Sequence, residues 1–81
     1  MPIFMDFHDD LKLDDATIDM ITTLTKDGVT DEFGVRQLEL YHNAAGQVYC
    51  LLDAPDADAV RLHHEVGGIV CHDVHQVSGM L

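Results

Sequence analysis

The sequence predicts an α+β fold: a four-stranded antiparallel sheet with two helices on one face. Three observations predict it. Segments with a two-residue apolar period alternate with segments of helical period, in the order strand, helix, strand, strand, helix, strand. Asn43-Ala44-Ala45-Gly46 is a turn signal that joins the two middle strands into a hairpin. The chain has 81 residues and no repeat or linker, so one domain is expected over 1–81.

Ile3 to His8 reads as the first strand. Ile3, Met5 and Phe7 fall on one face and Phe4, Asp6 and His8 on the other. Asp14 is the expected N-cap of the first helix, with Asp15 and Asp19 near its positive end and an apolar stripe at Ile18, Ile21 and Leu24. Gly28 either ends this helix or interrupts it, with Gly34 then acting as a left-handed stop after Phe33. Val35 to His42 is the second strand, with Leu38 and Leu40 on the face away from Val35, Gln37, Glu39 and Tyr41. Gln47 to Ala54 is the third, and Val48, Cys50 and Leu52 share its helix-facing side. Pro55-Asp56 stops that strand and caps the second helix, whose apolar side is expected at Ala59, Leu62, His63 and Val66. Gly67-Gly68 ends it, and Val70 to Val77 is the last strand. This is the ferredoxin-like, split βαβ plan, in which the first and last strands are antiparallel neighbours.

Charge narrows the function. Fifteen acidic residues face four basic ones, a formal net charge of -11. Nucleic acid and anionic membrane surfaces are therefore excluded as partners, and cations are favoured. No run approaches the roughly 18 apolar residues of a membrane span, and the N-terminus has no basic region followed by an apolar run. A cytoplasmic location is expected. Cys50 and Cys71 show no C-x-x-C spacing, which suits buried thiols better than a disulfide. A chain this short buries only about 60–65% of its unfolded surface, so pairing into a homodimer would enlarge its core.

The chemistry-bearing pattern is a repeated Asp-x-His: Asp6-Phe7-His8 on the first strand and Asp73-Val74-His75 on the last. Period two puts each Asp with its His. With Phe7 and Val74 turned to the helices, two aspartates and two histidines meet on the open face, where Glu39, Tyr41, Tyr49 and Asp53 join them. Imidazole and carboxylate together suit a divalent transition metal. The same spacing also suits a merely solvated face. Among the remaining donors, His63 lies at the edge of the apolar stripe and His64 about 100° further round, toward solvent. His42 precedes the turn, and His72 alternates away from His75. There is no nucleophile elbow, phosphate-cradling glycine loop or H-E-x-x-H, so binding is expected before catalysis and no catalytic residue is assigned.

Met1-Pro2-x-Phe4-Met5-Asp6-x-His8, Gly34-Val35-Arg36, the distinctive Tyr49-Cys50-Leu51-x-Asp53-Ala54-Pro55-Asp56-Ala57-x-Ala59-Val60, and Gly68-Ile69-Val70-x-x-Asp73-Val74-His75-x-Val77 carry a resemblance. They resemble a small ferredoxin-like domain-of-unknown-function family that includes a nickel-binding protein. The resemblance implies a homodimer and nickel, and it matches His8, Cys50 and His63 to the family's recurring His, Cys and His. The segment after Phe7 lacks the family's glycine- or proline-rich loop, and His72 stands where an acidic residue is usual. The strand alternation separates His8 from Cys50 and the resemblance unites them, so one of the two must give way. The combined expectation is a transition-metal-binding protein, nickel before zinc or copper, with Asp6, His8 and His75 from the pattern and His63 and Cys50 from the resemblance. The alternative is a dimeric α+β barrel-type enzyme or small-molecule binding protein using the open sheet face.

Overall fold

The computed structural model describes residues 2–71 and 73–78. Its elements are β1 (Ile3–His8), α1 (Asp15–Lys26), β2 (Arg36–His42), β3 (Val48–Asp53), α2 (Ala57–Val66) and β4 (Asp73–Val77). The sheet order is β2-β3-β1-β4 with every pairing antiparallel, which is the ferredoxin-like arrangement.

Side-chain caps start both helices: Asp14 accepts from Thr17 N at 2.7 Å and Asp56 from Ala59 N at 2.8 Å. The helix does not resume beyond Gly28. That glycine adopts φ +66°, which breaks the helical run. Beyond it the Asp31 carboxylate accepts from the amides of Phe33 and Val35, both at 2.9 Å, a local loop that competes with helix formation. β4 runs from Asp73 to Val77, and Val70 and Cys71, expected at its start, lie outside the strand. His72 lies outside the described residues.

Registers fix the faces. β3 is central, and Val48, Cys50 and Leu52 are buried on its helix side. Pairing places His8, Asp6 and Phe4 directly across from them. The expected orientation of β1 is therefore reversed: Phe4, Asp6 and His8 lie under the helices, and Ile3, Met5 and Phe7 form the open face with Tyr49, Leu51 and Asp53. The physical reason is that side chains paired across a ladder must share a side, and β3's more strongly apolar set wins the interior. β2 departs from strict alternation too. A register shift between Gln37 and Glu39 places Gln37 opposite Leu52 and Leu40 opposite Cys50, so both share the helix side. Glu39 and Tyr41 stay on the open face.

The core is Phe4, Val35, Val48, Cys50, Leu52, Ala54, Ala59 and Val60. α2 contributes Ala59, Val60 and His64 to the interior, whereas α1 buries no residue.

Candidate metal centre

Strand pairing and one helical turn assemble four donors. Asp6 and His8 are two residues apart on β1 and so project to the same side. Cys50 faces Asp6 across the β1–β3 ladder. On α2, Ala57, Val60 and His64 follow the i, i+3, i+7 stripe that turns to the sheet, which lowers His64 onto the pair. Asp6 is 1% exposed, and His8, Cys50 and His64 are also buried. One donor atom from each of the four lies within 4.8 Å of the others. Ligands about 2.0–2.3 Å from a zinc-like ion sit at most about 4.6 Å apart. Slight contraction would make a coordination sphere.

His8 Nε2 approaches Asp6 Oδ1 at 3.2 Å, and His64 Nε2 approaches Asp6 Oδ2 at 3.2 Å. Neither approach is aligned as a hydrogen bond, and among the described residues both carboxylate oxygens and His8 Nε2 are buried without an aligned nitrogen or oxygen partner, the Cys50 and Cys71 thiols being the weak donors beside Asp6. The tautomer of His64 follows from its other nitrogen. Nδ1 lies 2.8 Å from the Val60 carbonyl, which can only accept, so Nδ1 donates and Nε2 presents a lone pair toward Asp6. Burial depresses the pKa of His64, with the Val60 bond and the Asp6 charge opposing, so it leans toward the neutral form. A buried carboxylate facing the His64 lone pair is costly unless a cation joins them. The donor set fits a divalent transition metal: nitrogen and thiol sulfur, with one harder oxygen.

Burial, then the Asp6 charge, pushes the Cys50 thiol far above its ordinary pKa. The same causes raise Cys71, also buried, to about 12. Both thiols are free. Cys71 therefore lies close enough to Asp6 to feel its charge and stands as a neighbour of the four.

Of the sequence-derived candidates, Asp6, His8 and Cys50 come together and His63 and His75 lie elsewhere. His75 pairs with Met5 on the open face and is exposed, so the two Asp-x-His motifs do not converge. His63 is half-buried beside its neighbour, its Nδ1 2.5 Å from Asp31 Oδ2 and its ring centroid 5.3 Å from that of His64. Burial raises the Asp31 pKa, but the bonds from His63, Val35 and Phe33 outweigh it and hold the carboxyl below its usual value. His64, expected at the surface, is the inward histidine, and the exposed Leu62 and Val66 show that the expected apolar stripe was one step out of phase. The signal for His64 was its i, i+4 spacing from Val60. The large cavity, about 600 Å³, also lies on the helix side and not behind the open face.

The fold and site together define a small ferredoxin-like α+β protein with a buried candidate metal centre. Residues 4–77 match the family described as nickel responsive protein SCO4226-like, and the chain belongs to that family. It is also similar to the crystal structure of SCO4226 from Streptomyces coelicolor A3(2), with 25% identity and a TM-score of 0.74 over 98% of this chain and 99% of that one. No curated protein matches the chain. No helix among the described residues is long and apolar enough to cross a membrane.

Proposed function

We propose that the protein binds a divalent transition metal, nickel first, through Asp6, His8, Cys50 and His64, for sequestration or delivery. One observation carries this reading: the desolvated Asp6 carboxylate has no aligned nitrogen or oxygen hydrogen-bond donor among the described residues, only the weak donors of the Cys50 and Cys71 thiols, and it faces imidazole nitrogens on both sides. The family description supports nickel. Zinc and copper suit the same donors, and copper generally binds such sites more tightly. When bound, the ion would neutralise Asp6 and displace the Cys50 proton, while Val60 holds the His64 tautomer. The free thiols suit the reducing cytoplasm.

A homodimer is part of the proposal. The open face carries Ile3, Met5, Phe7, Tyr49 and Leu51, with Met5 42% and Tyr49 43% exposed, and a second copy would bury it.

The test is metal content of untagged protein, followed by calorimetric nickel titration. Near-stoichiometric metal is expected. His64→Ala should weaken nickel at least tenfold, about 1.4 kcal/mol, and His75→Ala should leave it unchanged. Wild-type protein that takes up no nickel at micromolar concentration, or equal losses in both variants, defeats the reading.

A further inference from the structure

The cavity of about 600 Å³ lies between α1, α2 and the sheet. Its size falls within the usual range for small-molecule sites, roughly 300–1,000 Å³. Leu11, Ile21, Leu24, Phe33, Leu40 and Ile69 supply much of an apolar wall. The space exists because α1 stands away from the core and buries none of its residues. Leu24, Val29 and Val66 on its rim are exposed, so the cleft opens to solvent and a small molecule can enter beside the candidate centre.

His8, Cys50 and His64 line the cavity, and Asp6 does not. Asp6 thus closes the rear of the centre, and the side left for an exogenous ligand faces the apolar space. Asp31 and Glu32 also line it, on a chain whose formal net charge is -11. That field opposes an anionic ligand head. A neutral nitrogen donor avoids the repulsion and suits nickel, zinc and copper alike.

We infer that this cavity binds a small organic molecule with an apolar body and one neutral nitrogen donor, which reaches the metal held by Asp6, His8, Cys50 and His64. The inference rests on the metal-binding reading and adds a ligand to it. The metal fixes the head, and the walls select the body.

The probe is 4-phenylimidazole titrated into nickel-loaded protein, with imidazole as the comparison and the nickel visible absorption as the readout. The phenyl compound should perturb the spectrum at a concentration at least tenfold lower than imidazole. Ile21→Trp, which fills the cavity from α1, should remove that advantage while nickel affinity stays within twofold. Leu24→Trp, at a 42% exposed position, provides a second filling variant that leaves the core untouched. If nickel binds but the two compounds act at equal concentration, or if the advantage survives both tryptophans, the ligand site is refuted and the metal site stands. A change in oligomeric state on filling would instead make the cavity a seam between copies and also refute it. If no nickel binds, the metal reading falls and the inference falls with it.

Discussion

Asp6-Phe7-His8 and Asp73-Val74-His75 lie on neighbouring antiparallel strands, yet they end on opposite sides of one sheet. The first pair is buried beneath α2, and the second is exposed. The cause is a register in antiphase. Asp6 pairs with Val74, and Phe7 with Asp73. A slip of one residue would have brought all four polar groups to a common face. Identical short patterns therefore acquire different chemistry from the ladder, because burial turns an ordinary carboxylate into one that demands a counter-charge. On the open side, water satisfies the same groups at no cost.

Neutralising each aspartate gives the sharpest separation. Asp6→Asn should lower nickel affinity by at least about a hundredfold in calorimetric titration, since losing a ligand should cost no less than losing a partner that only orients one. It should also raise the stability of chelator-treated protein by about 1–3 kcal/mol in urea, since it removes an unpaired buried charge. Asp73→Asn should change stability by less than about 0.5 kcal/mol. An Asp6→Asn protein less stable than wild type would mean the carboxylate is already satisfied, and the contrast would collapse.

Proton release probes the same side. The Cys50 thiol must lose its proton to bind the ion, so nickel affinity should climb about tenfold per pH unit between roughly pH 7 and 9. Cys50→Ser should flatten that slope, and His75→Ala should leave it intact.

The smallest effect concerns Cys71. Its folded pKa, about 12, lies above the ordinary 9.0, so the folded protein holds this proton more tightly. The linked stability is complete below about pH 9 and is lost as pH rises toward 12. Cys71→Ala should make the alkaline limb of the unfolding profile shallower without altering metal stoichiometry.

Element order, both aspartate caps and the hairpin were legible, because they depend on local periodicity and turn chemistry. The side on which Asp6 and His8 project was not. Ile3, Met5 and Phe7 look like the core set of an isolated strand, and only pairing with Val48, Cys50 and Leu52 reverses them. The phase of α2 was partly hidden: Ala59 turns inward as expected, but Leu62 and Val66 compete with Val60 and His64 for the rest of the inward side and lose. The bulge around Leu38 has no local signature, so β2 could not reveal that Gln37 and Leu40 share a side.

The donors stand at positions 6, 8, 50 and 64, on β1, β3 and α2. A ribosome must therefore synthesise most of the chain before the last of them emerges. The earlier segments can hold at most a partial set, and α2 must dock before the imidazole of His64 arrives. Metal capture would then report that synthesis has passed α2 and that the sheet has closed. Chains truncated before α2 would compete poorly for scarce ions, leaving the supply to finished molecules.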